Sequence, residues 1–274
     1  MKDIDDVESI FIKEGSTPGK TLAVFCGVHG NETAGIRAVK KVLDQVSIDA
    51  GKVFFVFANP RAIKKNVRFT EINLNRCFSQ GHTGDTYEDH RATKLMEILD
   101  QCDALLDIHA SNIPNSTPFV ICEEDTFPFT EKINFPIIST GWDAIEPGAT
   151  DGYMFRSGKI GICAECGYAG DGKERAGLAE DTIYQFLSFY GAIDTDIHFA
   201  DIVQKHLHVD RAIIKSTESF KLTKAFEDFE TLPSDYCYAK DGNQEYCVDE
   251  ESVIVFANPD KEVGGEACIL GYWV

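Results

Sequence analysis

The feature that most constrains the fold is an apolar strand that leads through a glycine-rich turn into an amphipathic helix. Thr21–Cys26 is a run of apolar, β-branched and aromatic residues, and Gly27–Gly35 follows it as the turn. Beyond the turn, apolar residues recur at spacings of three and four, which predicts a helix over Thr33–Val46. A strand, a polar turn and a helix in this order are typical of open α/β sheets, which carry their chemistry at the C-terminal ends of strands.

The same alternation continues along the chain. Buried strands are predicted at Lys52–Ala58, Ala104–Ile108, Phe119–Cys122, Pro136–Ser139 and Lys159–Cys166. Helices are predicted from Thr86, as a cap, to about Gln101 and over Leu178–Phe189. Residues 61–85 are predicted as a polar loop, and glycine and proline punctuate Gly141–Gly158. Strands that alternate with helices indicate an α/β sheet.

The pattern changes near Asp196. Short β-like runs follow at Ala212–Ile214, Ser219–Leu222, Ser252–Phe256 and Ala267–Leu270, with a weak helical pattern near His198–His208. We therefore predict two domains, a catalytic α/β domain over residues 1–197 and a small β-rich domain over residues 198–274.

The charge balance excludes two classes of partner. The 274 residues include 45 acidic and 26 basic residues, a formal net charge of −19. Such a surface repels nucleic-acid phosphates and anionic membranes, so we expect neither as a partner. No segment approaches the roughly 18 consecutive apolar residues of a membrane span. A small anionic substrate would need a local cluster of cations.

Cysteine usage points to a reducing compartment. Nine cysteines are scattered through apolar runs without a framework spacing, and the acidic N-terminus has no apolar signal core. We expect reduced thiols and a cytoplasmic protein.

Three donors in the predicted strand ends could hold a metal. His29 and Glu32 lie three residues apart in the first turn, and Zn²⁺ accepts imidazole and carboxylate donors. Catalytic zinc usually takes a third protein ligand, which His109 supplies at the end of another strand. Asp107 would face the same side as His109 and could support it. Each of these residues also has an ordinary structural interpretation, a solvated pair or a hydrogen-bonded histidine.

A carboxylate inside an apolar strand is the candidate general base. Glu165 lies within Gly161–Gly167, and burying a carboxylate is costly unless it is paired or protonated. A general base over an attacking water is one reason for its place, and a structural salt bridge is the other. Cys163 and Cys166 would face opposite sides of the strand, so we interpret them as packing residues rather than a redox or zinc pair.

Cations concentrate in one loop of this acidic chain. The loop carries five of them: Arg61, Lys64, Lys65, Arg68 and Arg76. Asn75 and Arg76 close it, and an amide beside a guanidinium can bind a carboxylate. A solvated loop that balances the acidic surface is the alternative.

Together these residues resemble the succinylglutamate desuccinylase/aspartoacylase family, which is related to the zinc carboxypeptidases. The resemblance rests on six matches in the family's order and at its approximate spacings: His-Gly-Asn-Glu at 29–32, Asn59-Pro60, Arg68 eight residues before Arg76, Asn-Leu-Asn-Arg at 73–76, Asp-Ile-His at 107–109 and Glu-Cys-Gly at 165–167. It covers residues 20–170. It implies a carboxypeptidase-like α/β domain, with a mixed central sheet flanked by helices, and a small C-terminal β domain. The family's usual Asp is Asn73 here.

The resemblance also implies roles. His29, Glu32 and His109 would bind one Zn²⁺ per chain. Glu165 would activate the metal-bound water, and Arg68 would stabilise the oxyanion. Residues for substrate binding would be Asn75, Arg76 and, at a loosely aligned position, Arg156.

The leading prediction is a zinc-dependent amidohydrolase that cleaves a small anionic N-acyl amino acid. A carboxypeptidase-like peptidase and a zinc-binding protein that has lost catalysis are the alternatives. Retention of Glu165 and Arg68 argues against the last, because a structural site needs neither. The acyl group, the amino acid and any homo-oligomer are left open.

Overall fold

The computed structural model describes residues 9–195, 197–199, 202–258 and 260–274. Its strands are β1 (Ile10–Glu14), β2 (Thr17–Cys26), β3 (Ala50–Phe57), β4 (Ala104–Ser111), β5 (Phe119–Ile121), β6 (Ile137–Thr140), β7 (Ile160–Tyr168), β8 (Lys205–Ile214), β9 (Phe220–Leu222), β10 (Glu230–Leu232), β11 (Cys237–Asp241), β12 (Gln244–Cys247), β13 (Ser252–Val255) and β14 (Glu266–Trp273). Its α-helices are α1 (Thr33–Gln45), α2 (Pro60–Lys65), α3 (Tyr87–Leu99), α4 (Phe127–Thr130), α5 (Trp142–Ile145), α6 (Thr150–Arg156) and α7 (Ala176–Phe189).

Most strands join one mixed sheet in the order β1-β3-β2-β4-β7-β5-β6-β8-β14-β13-β10. β3, β2, β4 and β7 are parallel neighbours, while β1 and β5 pair antiparallel with β3 and β7. Helices cover this part of the sheet on both faces. The predicted α/β class with a mixed central sheet is confirmed.

Alternation along β2 explains how one apolar strand serves two cores. Leu22, Val24 and Cys26 point to the face that α1 and α7 cover, and Ala23 and Phe25 point to the face that α3 and α6 cover. Because successive side chains of a strand point to opposite faces, a strand buried on both must be apolar throughout. Among the described residues, no helix combines the length and the hydropathy that a membrane span requires.

The C-terminal strands extend the same sheet. β8 pairs parallel with β6 and antiparallel with β14, and a separate antiparallel sheet has the order β12-β11-β9. The weak helix near His198–His208 falls partly outside the described residues, and from Lys205 onward the prediction is wrong. There Leu207 and Val209 are buried at the alternating positions of a strand. The proposed division at residues 197 and 198 stays a prediction.

Short helices occupy two segments predicted to lack them. α2 and the 3-10 helix Leu74–Arg76 interrupt the predicted 61–85 loop, and α5 and α6 lie within residues 141–158. At α2, the Asn59 side chain accepts a hydrogen bond from the Ala62 N–H at 3.1 Å, and Pro60 takes the first helical position. Helices of one or two turns are too short to give a clear amphipathic period.

One pair of cysteines differs from the expectation that all thiols are reduced. Cys237 and Cys247 face each other across the β11–β12 hairpin and form a disulfide, so the prediction that all thiols are reduced is wrong there. The other seven cysteines are free and buried. The expected cytoplasmic location rested on those thiols and stays a prediction.

Candidate active site

Four ionisable side chains meet where β2, β4 and β7 end. His29 and Glu32 lie in the turn between β2 and α1, His109 lies on β4, and Glu165 lies on β7. The parallel register places His109 directly beside Glu165. All four are buried, with at most 7% of their surface exposed. Parallel strands bring their C-terminal ends to one edge of the sheet, which is why residues so distant in sequence meet.

Both imidazoles face the same carboxylate. His29 Nδ1 lies 2.8 Å from Glu32 Oε1, and His109 Nδ1 lies 3.1 Å from Glu32 Oε2. One ligand atom from each residue lies within 4.8 Å of those from the other two. The structure therefore brings together the three residues that the sequence predicted as metal ligands.

The second nitrogen of each ring lies close to a side-chain oxygen. His29 Nε2 lies 3.0 Å from Asn73 Oδ1, and His109 Nε2 lies 3.0 Å from Asp107 Oδ2. Asp107 in turn accepts a hydrogen bond from the Thr150 hydroxyl at 2.6 Å. Such partners fix the ring orientation and leave the opposite nitrogen free for a metal. Asn73, which departs from the family's Asp, supplies an oxygen at this position.

The donors fit a divalent metal ion such as zinc. Glu165 Oε2 is buried without a hydrogen-bond partner among the described residues, and His29 Nδ1 makes no hydrogen bond although Glu32 Oε1 lies 2.8 Å away. Burial lowers the pKa of His29, which favours the neutral imidazole that a metal requires. Two nitrogens and a carboxylate are a typical donor set for catalytic zinc.

Glu165 has the electrostatics of a proton acceptor. Burial first, and then the nearby charge of Glu32, raise the pKa of Glu165 to about 8. Cys163, two residues earlier, lines the same cavity, whereas Cys166 packs in the core on the opposite face. The two thiols therefore face opposite sides of β7, as predicted, and only Cys166 packs in the core.

A cavity of about 340 Å³ opens above these residues. Arg68, Asn75 and Arg76 all line it, as their predicted roles require. Arg68 Nη1 lies 3.1 Å from Glu32 Oε1, and Arg76 forms an ion pair with Glu146. The side-chain oxygen of Asn75 accepts a hydrogen bond from the Thr150 N–H at 3.2 Å.

Other predicted cations do not reach the cavity wall. The Arg61 guanidinium lies over the Tyr87 ring at 3.9 Å, and Lys64 and Lys65 are exposed on α2. Arg156 forms an ion pair with Asp143 and donates a hydrogen bond to the Phe78 carbonyl at 2.7 Å. Asp143 lines the cavity and Arg156 does not, so the structure gives no support to direct substrate binding by Arg156.

A buried glutamate that the sequence reasoning missed holds the segment that carries Arg68 and Arg76. Glu88, fully buried on α3, accepts hydrogen bonds from the N–H groups of Thr70 and Glu71 at 2.7 and 3.2 Å. The predicted helix after Thr86 already contained Glu88. No signal in the sequence distinguished it from a surface carboxylate.

The C-terminal region completes the cavity, which the sequence also did not reveal. Phe256, Asn258, Lys261 and Glu266 line its wall. Asp228 ties this region to the loop after β4, because its carboxylate accepts hydrogen bonds from the Ser116 hydroxyl at 2.6 Å and from the Phe256 N–H at 2.7 Å.

Comparison with known proteins gives a consistent result. Residues 18–190 match the model of the succinylglutamate desuccinylase/aspartoacylase catalytic domain. A succinylglutamate desuccinylase from Shewanella baltica is 28% identical over 301 aligned positions, covering 96% of this chain and 86% of that protein.

Solved structures extend the likeness to the whole fold. A succinylglutamate desuccinylase from Vibrio parahaemolyticus superposes with a TM-score of 0.82 at 17% identity, covering 97% of this chain and 86% of the other. The ectoine utilization protein EutE from Ruegeria pomeroyi superposes with a TM-score of 0.74 at 17% identity, covering 96% and 88%. At these identities the two structures support the fold and leave the substrate open.

Proposed function

The chain belongs to the succinylglutamate desuccinylase/aspartoacylase family, and from this we propose that it is a zinc-dependent hydrolase that cleaves the amide bond of an N-acyl amino acid. The family's names describe deacylases, enzymes that act on amide bonds. The metal, the mechanism and the substrate are our proposal.

One observation carries the proposal. The buried donors of His29, Glu32 and His109 converge at the floor of a cavity, with Glu165 beside His109 and two guanidiniums on the wall. A structural metal site has no use for a buried base or for cations above it, whereas amide hydrolysis needs both. This argues against the alternative of a zinc-binding protein that has lost its catalytic activity.

His29, Glu32 and His109 would hold one zinc ion. When bound, zinc polarises a carbonyl oxygen as a Lewis acid and lowers the pKa of a water molecule that it coordinates. Asn73 and Asp107 would keep the two imidazoles in orientation through the contacts described above.

Glu165 would move the protons. As a carboxylate it removes a proton from the attacking water, and as a carboxylic acid it delivers that proton to the nitrogen of the leaving amine. Burial raises the pKa of Glu165, and the positive charge of a zinc ion bound beside it would bring that pKa back down. A carboxyl group balanced in this way can accept and then return a proton near neutral pH.

Arg68 would stabilise the negative charge that develops on the scissile carbonyl oxygen. Its guanidinium lies beside Glu32 and about one-third of its side chain is exposed, so it is both fixed and accessible from the cavity. Removing a donor of this kind commonly lowers the rate by about 10²–10³.

Asn75 and Arg76 would bind a carboxylate of the substrate. An amide donor beside a guanidinium can grip a planar carboxylate, and both side chains face the cavity. The protein as a whole is strongly acidic and would repel an anionic substrate. Cations such as Arg76 in the cavity offset that repulsion locally.

A substrate screen on metal-quantified protein tests the proposal. Purified protein would receive N-succinyl-, N-acetyl- and N-formyl-amino acids and then dipeptides, with released amine as the readout. We expect turnover of an N-acyl amino acid that a chelator abolishes and added zinc restores. Faster cleavage of dipeptides would instead favour the carboxypeptidase-like alternative, and zinc-loaded protein without any turnover would overturn the proposal.

A further inference from the structure

Lys261 contributes a cation to the cavity from the far end of the chain. It lies in the loop between β13 and β14, is partly buried and lines the cavity with Arg68 and Arg76. Burial first, and then the charge of Arg68, lower the pKa of Lys261. A partly desolvated ammonium beside other cations is destabilised unless an anion approaches it.

The two guanidiniums already have partners within the protein. Arg76 forms an ion pair with Glu146 and donates a hydrogen bond to the Asn75 carbonyl at 2.7 Å. Arg68 lies 3.1 Å from Glu32. Among the described residues, no carboxylate oxygen lies within 4.0 Å of Lys261 Nζ. Of the three cations, Lys261 is therefore the one that has no ion-pair partner among the described residues.

The acids nearest to Lys261 are engaged with each other. Glu146 and Glu266 both lie on the cavity wall. Burial first, and then the neighbouring Glu146, raise the pKa of Glu266 to about 9, so this carboxyl group carries a proton near neutral pH. A carboxyl pair of this kind presents one negative charge instead of two. Glu146 and Glu266 attract the ammonium of Lys261 without forming an ion pair with it, so Lys261 can still bind an anion in the cavity.

We propose that Lys261 is a specificity-determining residue, which binds the side-chain or the acyl carboxylate of the substrate, a different carboxylate from the one that Asn75 and Arg76 bind. The inference rests on the proposed function, since it names a second contact in the same cavity. It makes the C-terminal region part of the substrate site. It also predicts that the enzyme prefers substrates with two or more carboxylates to analogues with one.

Matched substrates and variants test this role. Lys261→Met removes the charge at similar length, and Lys261→Arg keeps it. Lys221→Met, an exposed lysine of β9 away from the cavity, is the control for net charge. The three proteins and the parent would be assayed with N-succinylglutamate, with N-succinylglutamine, which lacks the side-chain carboxylate, and with N-butyrylglutamate, which lacks the acyl carboxylate.

We expect Lys261→Met to lower kcat/KM for N-succinylglutamate by about 10- to 100-fold, the usual effect of losing one charged hydrogen bond, mainly through a higher KM. For one of the two analogues the loss should fall below about threefold, because the missing carboxylate is the one that Lys261 binds. Lys261→Arg should retain most of the activity, and Lys221→Met should match the parent. Equal losses on all three compounds, or no loss, would overturn the proposal.

A binding readout separates this inference from the proposed function. If the parent protein hydrolyses none of the three compounds, the proposed function fails with these substrates, and Lys261 is then judged by thermal unfolding with and without N-succinylglutamate. A ligand-induced rise in Tm that Lys261→Met removes and Lys221→Met keeps would support a carboxylate contact. The same rise in both variants, or no rise in the parent, would exclude it.

Discussion

The carboxylate of Glu88, fully buried on α3, accepts two hydrogen bonds from Thr70, one from its N–H and one from its hydroxyl, each at 2.7 Å. Its oxygens also accept from the N–H groups of Glu71 at 3.2 Å and Ile72 at 3.5 Å, and from the side chain of Asn59 at 3.2 Å. These hydrogen bonds lower the pKa of Glu88 although burial opposes its ionisation. One side chain thus fixes the backbone between Arg68 and Asn73.

Glu88→Gln should lower stability and weaken substrate binding. The amide replaces one acceptor oxygen by an NH₂ group that faces backbone donors, and each buried donor left without a partner costs about 1–3 kcal/mol. Chemical denaturation measures the free energy of unfolding, and steady-state kinetics should give a raised KM because Arg76 is less well positioned. Glu97→Gln, an exposed change on the same helix, is the control. Equal stability of the two variants would show that Glu88 does not hold the backbone between Arg68 and Asn73 in place.

The start of α3 gives a prediction about acid stability. Thr86 and Asp89 form a capping box, and Asp89 also bonds His82. Burial raises the pKa of Asp89, but hydrogen bonds from Thr86 and His82 outweigh it and lower the pKa to about 2. The ionised form is therefore stabilised on folding. This contribution is present above the ordinary pKa of 3.8 and is lost as the pH falls through about 2.

Asp89→Asn should therefore be less stable than the parent near pH 6, and the difference should shrink steadily below pH about 4. Denaturation curves at several pH values measure it. Asp85→Asn, which changes a fully exposed side chain, should show a much smaller effect. A difference between Asp89→Asn and the parent that stays constant down to pH about 2 would contradict the assigned pKa.

The carboxyl pair on the cavity wall predicts how binding changes at high pH. Burial, followed by the hydrogen bond and charge of Glu146, raises the pKa of Glu266 to about 9. Below this value Glu266 is neutral, and above it two carboxylates stand near Arg76 and Lys261. An anionic substrate or product should bind less tightly as the pH rises through about 9.

Glu266→Gln, which stays neutral, should flatten that dependence while keeping affinity near pH 7. The inhibition constant of the product amino acid, measured from pH 7 to 10, separates this effect from the titration of Glu165. Glu262→Gln, an exposed neighbour in the same loop, should behave like the parent. A parallel decline in parent and Glu266→Gln would assign the pH dependence to another group.

Zinc removal should lower thermal stability. A ligand that binds the folded chain alone stabilises it by about 2.7 kcal/mol at a free concentration of 100 times its Kd. Tm should fall when a chelator is added and recover with zinc, and His109→Ala should lose most of this response. Cys163→Ser keeps the three predicted ligands and should respond like the parent. An identical chelator response in parent and His109→Ala would remove His109 from the metal site.

The sequence predicted the strands and ligands that depend on local pattern. Runs such as Thr21–Cys26 are apolar because both faces of the strand are buried, and His29 and Glu32 lie in a turn whose glycine, Gly27, has a positive φ of 66°. Thr86 was predictable as a cap because capping is a local interaction. His109 and Glu165 could be predicted to lie close together because the alternation of strands and helices implied a parallel sheet. The C-terminal ends of parallel strands meet at one edge of the sheet.

Contacts between distant segments could not be predicted in this way. Glu88 has the composition of an exposed helix residue, and only the tertiary structure shows that Thr70 and Asn59 surround it. Lys261 reaches the cavity because β8 and β14 extend the main sheet and bring the β13–β14 loop over it. Arg156 was predicted to bind substrate only because of its position in the sequence, and in the structure it forms an ion pair with Asp143. Cys237 and Cys247 pair because a hairpin register aligns them.

The central claim, that Glu165 is the general base beside a metal held by His29, Glu32 and His109, is tested most directly by Glu165→Gln. The variant keeps the shape of the side chain and removes its ability to accept a proton. Zinc content and hydrolysis of the best substrate would be measured on the same preparation. We predict about one zinc per chain with hydrolysis reduced by about 10²–10⁴. Unchanged hydrolysis at full zinc content would contradict the claim.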